Sequence, residues 1–125
     1  MLNYQIGICA PNDFLPPRDA IATFTYFKTL EEGLDWADAV MALRVQKERH
    51  DGRDFDLQQY RKSYVLNSQK LLRFKADGWI MHPGPINYGV ELEQDVLKDV
   101  RSLIMGQVEN GVFMREALIR KLLKD

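Results

Sequence analysis

The chain has 125 residues, of which 46% are apolar and 28% charged, so its length predicts one domain over residues 1–125 with a single core. The 17 basic and 18 acidic side chains give a net charge of −1, which does not favour a nucleic acid or an anionic membrane as a partner. One cysteine excludes an intrachain disulfide framework, and one cysteine with two histidines does not favour a zinc site. The sequence also has no apolar run near the ~20 residues of a membrane span and no signal-peptide pattern at its start. We therefore expect a globular, cytoplasmic protein without a metal.

Three short apolar runs predict β-strands at residues 4–10, 38–43 and 79–81. The first has isoleucines two residues apart and ends at a Pro-Asn-Asp turn signal. The second is predicted to be buried, and a strongly polar stretch follows it directly. The third leads straight into a turn that contains two prolines and a glycine.

Helical patterns lie between these runs. A short helix is predicted around residues 18–24, and a better-defined helix begins at Thr29, because Thr29 and Glu32 have capping-box spacing. Residues 57–74 predict a helix in two pieces, with Asn67 or Ser68 capping the second. Residues 96–123 predict a long final helix with a break or a bend near Asn110 and Gly111.

Strands that alternate with helices predict an α/β fold with a parallel sheet. Three strands are few for a doubly wound sheet, which needs helices on both faces. We therefore predict an incomplete Rossmann-like domain, in which a small parallel sheet is flanked by helices and followed by a long C-terminal helix.

Polar side chains cluster beyond the second predicted strand. Arg44, Gln46 and Glu48 are two residues apart, so in an extended segment they share one side. The Arg44 guanidinium could bind a carboxylate or a phosphate through two hydrogen bonds, the Gln46 amide could accept from an amine, and Glu48 could orient Arg44. The alternative is a solvated charged loop with no ligand.

The turn at residues 82–87, His-Pro-Gly-Pro-Ile-Asn, follows the third predicted strand. Its two prolines lack backbone N–H groups, which leaves carbonyl oxygens that could accept hydrogen bonds from a ligand. The alternative is a plain rigid turn in which His82 is hydrogen-bonded to the backbone.

Three segments together resemble the aspartate carbamoyltransferase family. They are DAVMALRVQKER at residues 38–49, HPGPIN at 82–87 and QVENGVFMREA at 107–117, in the family's order and spacing. The resemblance covers essentially the whole chain but only the C-terminal, aspartate-binding half of the family enzyme. That enzyme transfers a carbamoyl group from carbamoyl phosphate to L-aspartate in pyrimidine biosynthesis, and the resemblance implies no metal or organic cofactor.

The resemblance also implies a role for each candidate residue in aspartate binding. Arg44 would bind a carboxylate of aspartate, Gln46 would hold the substrate near its amine, Glu48 would steady Arg44, and Arg49 would bridge to the other domain. The backbone carbonyls of the turn would accept from the reacting amine and the carbamoyl NH₂. These turn residues are Gly84 and Pro85, with His82 and Pro83 supporting them.

Two departures from the family pattern leave alternatives open. The carbamoyl-phosphate-binding domain is absent from the sequence, so the chain alone is expected to be inactive. Tyr88 stands where many members have arginine, and a phenol cannot replace that cation. The alternatives are a non-catalytic relative that acts as an interaction or regulatory subunit, and a free-standing amino-acid-binding module. The apolar stripe of residues 100–123 predicts a homo-oligomer formed by self-association.

Overall fold

The computed structural model describes residues 4–17, 23–45 and 56–123. In these ranges the chain forms four short strands, three α-helices and three short 3₁₀ helices, and no helix is long and apolar enough to cross a membrane. The strands are β1 (Gly7–Ile8), β2 (Thr25–Tyr26), β3 (Ala39–Met41) and β4 (Trp79–Met81). The α-helices are α1 (Leu30–Trp36), α2 (Leu57–Tyr64) and α3 (Ile104–Leu122), and the 3₁₀ helices are Asn12–Phe14, Lys70–Leu72 and Gln94–Lys98.

The described strands form two separate parallel sheets rather than one three-stranded sheet. β1 pairs with β2, and β3 pairs with β4 in the register Val40 to Ile80. The predicted α/β class with parallel strands is confirmed. The sequence pattern missed β2, because its two residues are both exposed and carry no alternation of apolar and polar side chains.

Helix α1 begins where the capping box predicted. The Thr29 hydroxyl accepts from the Glu32 backbone N–H at 3.3 Å, and the Glu32 carboxylate accepts from the Thr29 N–H at 3.4 Å. This exchange satisfies two donors that the first turn of a helix leaves unpaired. The helix then places Leu30 and Leu34 in the core.

The core lies between α1, β4 and the segments that follow α2. The predicted two-piece pattern after residue 57 is confirmed, with the second piece a 3₁₀ helix whose Lys70 N–H donates to the Asn67 side chain at 2.9 Å. The buried apolar side chains form one cluster: Leu30, Leu34, Leu66, Leu71, Phe74, Ile80, Leu92, Val96 and Ile104.

The final helix begins later than predicted, and it has no break. It starts at Ile104 rather than near residue 96, because residues 101–103 pair along the edge of β4, where the Ile80 N–H donates to the Arg101 carbonyl at 3.0 Å. It also continues through Asn110 and Gly111 without a break, since glycine inside a helix costs only about 1 kcal/mol.

The second predicted strand and the first predicted helix also differ from what the structure describes. The strand predicted at residues 38–43 is less buried than expected: Ala39 is exposed and Met41 is 48% exposed, because both lie on the face of β3 opposite Val40, whose side chain packs against the core. The predicted helix at 18–24 lies mostly outside the described residues, and residues 23–24 form a turn and a bend that lead into β2.

Candidate functional site

The two candidate segments meet because β3 and β4 are neighbouring parallel strands. The carboxyl ends of parallel strands lie at the same edge of a sheet, where open α/β folds bind their ligands. The Ala42 N–H donates to the Met81 carbonyl at 3.0 Å, so the pairing continues to the last residue of both strands. Arg44 therefore follows one strand at the same edge at which His82 follows the other.

The turn after β4 is organised by His82, which is fully buried. The Gly84 N–H donates to His82 Nδ1 at 2.9 Å, and the His82 backbone N–H donates to the side chain of Gln107 on α3 at 2.9 Å. Because Nδ1 accepts a hydrogen bond, the proton of the neutral ring lies on Nε2. The predicted alternative, a rigid turn with His82 bonded to the backbone, therefore describes this part of the site correctly.

Glu91 links the turn to the segment after β3. One carboxylate oxygen, Oε1, accepts from the Asn87 N–H at 2.6 Å and lies 3.4 Å from His82 Nε2. The Asn87 side-chain amide in turn donates to the Val45 carbonyl at 3.4 Å. This chain of contacts fixes the Pro-Gly-Pro turn against the residue next to Arg44.

The turn carbonyls remain available within the described ranges. No backbone N–H group described there donates to the carbonyl oxygens of Pro83, Gly84 or Pro85. Gly84 has a positive φ of 68°, a conformation that glycine adopts without steric cost, and its bond to Pro85 is cis. Three acceptors are thus held in one short turn beside the end of β3.

A cavity of about 620 Å³ opens beyond the end of β3, where Arg44, Val45 and Glu91 line it, whereas residues 82–87 of the turn are not part of its lining. Glu91 is 2% exposed, and its second carboxylate oxygen, Oε2, has no hydrogen-bond partner in the described part of the chain. Tyr60 and Tyr64 also line the cavity, and their rings stack with centroids 5.3 Å apart.

Electrostatics in this region follow from burial. Burial and then the negative charge of Glu91 raise the pKa of Tyr60 to about 12. Burial lowers the pKa of His82, and the nearby Glu91 carboxylate opposes that shift without reversing it. His82 is therefore a neutral ring at pH 7, and it acts as a structural hydrogen-bonding group.

Three of the predicted site residues cannot be placed. Gln46, Glu48 and Arg49 lie outside the described residues, so their geometry stays a prediction. Among the described residues, no three histidine, cysteine, aspartate or glutamate side chains lie close enough to hold a metal ion.

The described geometry brings together a cation, Arg44, and a turn rich in carbonyl oxygens. Such a pair suits a ligand that carries both a carboxylate and an N–H donor.

The family comparison matches this chemistry. The sequence profile described as the Asp/Orn binding domain of aspartate/ornithine carbamoyltransferases matches residues 2–122. The chain belongs to this family. Two curated relatives are the aspartate carbamoyltransferase catalytic subunits of Brucella anthropi, 41% identical over 123 residues, and Acetivibrio thermocellus, 40% identical over 119 residues.

Solved carbamoyltransferase structures share the fold. An aspartate transcarbamoylase from Trypanosoma cruzi in complex with carbamoyl aspartate and phosphate has a TM-score of 0.74 at 25% identity over 90% of this chain. An anabolic ornithine carbamoyltransferase from Campylobacter jejuni has a TM-score of 0.72 at 16% identity over 96% of the chain, which supports the fold alone. The two curated alignments include 98% and 94% of this chain. They include only 38% of the length of each relative, so the chain spans well under half of the proteins it matches.

Three residues that hold the turn after β4 in place are not among the site residues predicted from the sequence. Glu91, Asn87 and Gln107 were not assigned roles, although Asn87 and Gln107 lie inside the segments that carried the resemblance. The sequence feature that could have identified Glu91 is its position as an acidic residue between the apolar residues Val90 and Leu92. Such a residue is expected to be either exposed or hydrogen-bonded.

Proposed function

We propose that this chain is the aspartate-binding half of an aspartate carbamoyltransferase, as a single domain over residues 1–125. The observation that carries the proposal is the placement of Arg44 and the Pro-Gly-Pro turn at the carboxyl ends of two paired strands. The substrates would be L-aspartate and carbamoyl phosphate. The products would be N-carbamoyl-L-aspartate and phosphate, in the cytoplasmic pathway of pyrimidine synthesis.

The proposed chemistry needs positioning more than a nucleophilic side chain. The α-amino nitrogen of aspartate would attack the carbamoyl carbon, the C–O bond to phosphate would break, and the departing phosphate would take the proton that the amine loses. Holding the two reactants in contact supplies much of the rate, and a stabilised oxyanion supplies more. Arg44 would fix a carboxylate of aspartate, and Gln46 would hold the substrate near its amine.

The turn would orient the N–H groups of both reactants. The carbonyls of Gly84 and Pro85 would accept from the attacking amine and from the carbamoyl NH₂. The His82–Glu91–Asn87 contacts support this role, because they fix the turn without using its carbonyls. Glu48 would steady Arg44, and Arg49 would bridge to the other domain.

We expect the 125-residue chain alone to have negligible activity, because phosphate binding and the oxyanion donors would belong to the carbamoyl-phosphate-binding domain, whereas this chain matches only the Asp/Orn binding domain. The direct test is a chimera in which this chain replaces the aligned residues of the Brucella anthropi catalytic subunit. Formation of carbamoyl aspartate by the chimera, with none by the isolated chain, is expected. An assembled but inactive chimera, or ordinary turnover by the isolated chain, would contradict the proposal.

Tyr88 favours a second candidate, a non-catalytic relative that serves as an interaction or regulatory subunit. Its side chain is 53% exposed at the site, where many family members have arginine. The intact mass of the native polypeptide distinguishes the two candidates. A mass well over twice 14.5 kDa is expected for the enzyme, whereas a mass near 14.5 kDa would favour the non-catalytic relative.

The C-terminal helix is proposed to make the chain a homo-oligomer. Apart from Ile104, its large apolar side chains are exposed, among them Val112 at 56% and Leu118 at 51%. An exposed stripe of this kind is typical of an interaction surface. Sedimentation of the isolated chain should show concentration-dependent association, and a monomer at all concentrations would contradict this part.

A further inference from the structure

The turn after β4 is held by side chains rather than by its own backbone. Pro83 and Pro85 have no N–H group to donate. Three other N–H groups of the turn donate hydrogen bonds within the described ranges, and each acceptor is a side chain. The three bonds run from His82 to Gln107 at 2.9 Å, from Gly84 to His82 at 2.9 Å and from Asn87 to Glu91 at 2.6 Å. The position of the turn therefore depends on where these side chains lie.

Gln107 differs from the other two acceptors because it lies on another element, 25 residues along the chain from His82. Ile104, one helical turn before it on the same face of α3, is fully buried in the core. The Leu103 N–H donates to the Ile80 carbonyl at 2.9 Å, which fixes the start of α3 against β4. Gln107 therefore offers the turn an acceptor whose own position is set by the core.

The bond to Gln107 acts on the residue that organises the turn. His82 donates its backbone N–H to Gln107 and accepts the Gly84 N–H on its ring Nδ1. Helix α3 also packs against the turn beside this bond, because Val108 Cγ2 lies 3.4 Å from the point that a Cβ on Gly84 would occupy. A shift of the His82 backbone therefore moves the Gly84 peptide, and the carbonyls of Gly84 and Pro85 move with it.

We propose that Gln107 is a positioning residue for carbamoyl transfer, an inference that rests on the proposed function. Gln107 touches neither substrate and acts through His82, because it holds the carbonyls of Gly84 and Pro85 where they accept from the attacking amine and the carbamoyl NH₂. A displacement of about 1 Å at a reacting centre costs about 100-fold in rate. Arg44 lies on a separate segment, so the contact with the aspartate carboxylate survives. Loss of the Gln107 acceptor is thus expected to lower kcat rather than to raise the KM for aspartate.

Two substitutions separate the acceptor oxygen of Gln107 from the packing of its side chain. Gln107→Met keeps the length of the side chain and removes the oxygen, whereas Gln107→Glu keeps an oxygen that accepts from the His82 N–H. The Gln107 Nε2 group donates no hydrogen bond within the described ranges, so Gln107→Glu loses no described contact. Glu109→Met is the matched control, because Glu109 is exposed on the same helix.

The kinetic test measures carbamoyl aspartate formation by the Brucella anthropi chimera. Gln107→Met is expected to lower kcat at least about tenfold and to leave the KM for aspartate within about threefold. Gln107→Glu should restore kcat to within about threefold of the unsubstituted chimera, and Glu109→Met should not change it. The inference is overturned if Gln107→Met keeps full kcat, if Gln107→Glu is as slow as Gln107→Met, or if the KM for aspartate changes in place of kcat.

Amide hydrogen exchange of the 125-residue chain tests the positioning of the turn without catalysis. Gln107→Met should speed exchange of the His82 and Gly84 amides at least about tenfold, and Gln107→Glu should not. The Ala42 amide, which donates to Met81, is the internal control. Unchanged exchange of Gly84 in Gln107→Met would overturn the inference, because the bond would then be local to His82.

The two measurements also separate this inference from the proposed function. An inactive unsubstituted chimera contradicts the proposed function alone, and the exchange of Gly84 then decides whether Gln107 holds the turn. Circular dichroism checks that each variant folds. If Gln107→Met does not fold, the wild-type chain decides the question. Slow exchange of its His82 amide supports the inference, and exchange at the rate of an unfolded peptide overturns it.

Discussion

Arg101 is predicted to contribute more to stability than any exposed charge of the domain. Its guanidinium donates to the carbonyls of Leu71, Phe74 and Lys75 at 2.9–3.2 Å and to Asp99 at 2.7–2.8 Å. Its side chain is only 14% exposed. These bonds fasten the 3₁₀ segment after α2 to the residues that pair with β4.

The Arg101→Met variant keeps most of the side-chain volume but loses every one of these donors. Three carbonyls would lose a partner at about 1 kcal/mol each, and the half-buried Asp99 would lose its cation. We therefore expect the free energy of unfolding to fall by about 3–5 kcal/mol, within the range for breaking a buried ion pair.

Urea denaturation of the 125-residue chain, followed by circular dichroism, measures this loss. The matched control is Arg120→Met, because Arg120 pairs with Glu116 one turn away on α3 and is 73% exposed. That change should alter stability by no more than about 0.5 kcal/mol. A loss below about 1 kcal/mol for Arg101→Met would refute the assigned role.

Two further predictions concern the turn after β4. Burial holds the pKa of His82 below its ordinary value near 6.5, so the unfolded chain binds the proton first and stability should fall as the pH drops below about 6.5. Urea titrations at several pH values should show a shallower slope in His82→Gln, and an unchanged slope would contradict the assignment. Gly84→Ala should cost about 1 kcal/mol because φ is +68° and Val108 lies 3.4 Å from the new Cβ, whereas Gly106→Ala, an open helical site, should stabilise by a similar amount. Equal effects of the two glycine substitutions in the same denaturation assay would refute the conformational argument.

Local side-chain chemistry made the start of α1 and the site segments predictable. The capping box at Thr29 depends on side chains three residues apart and is confirmed. The Asn67 side chain accepts from the Lys70 N–H, but the N-cap residue of that 3₁₀ helix is Gln69, not Asn67 or Ser68. The position of Arg44 and of the Pro-Gly-Pro turn just after a strand was predicted, but their adjacency depends on the pairing of β3 with β4, which only the structure shows.

The parts that could not be predicted depend on contacts between distant segments. The start of α3 was placed too early, because nothing in the helical pattern shows that the Arg101 carbonyl pairs with Ile80. The division into two sheets was also unexpected, since apolar runs predict strands but not which strands are neighbours. Glu91 was overlooked because its partners, His82 and Asn87, are set by the path of the turn.

The most direct measurement of the central claim is the aspartate KM of the Brucella anthropi chimera with and without Arg44→Ala. Loss of a bidentate, charge-assisted contact is expected to raise the KM for aspartate about 100-fold, which corresponds to a loss of about 3 kcal/mol in binding free energy. The KM for carbamoyl phosphate should stay within about twofold. Arg44→Lys should recover only part of the loss, and Arg120→Ala should behave as the unsubstituted chimera. An unchanged KM for aspartate in Arg44→Ala would contradict the account.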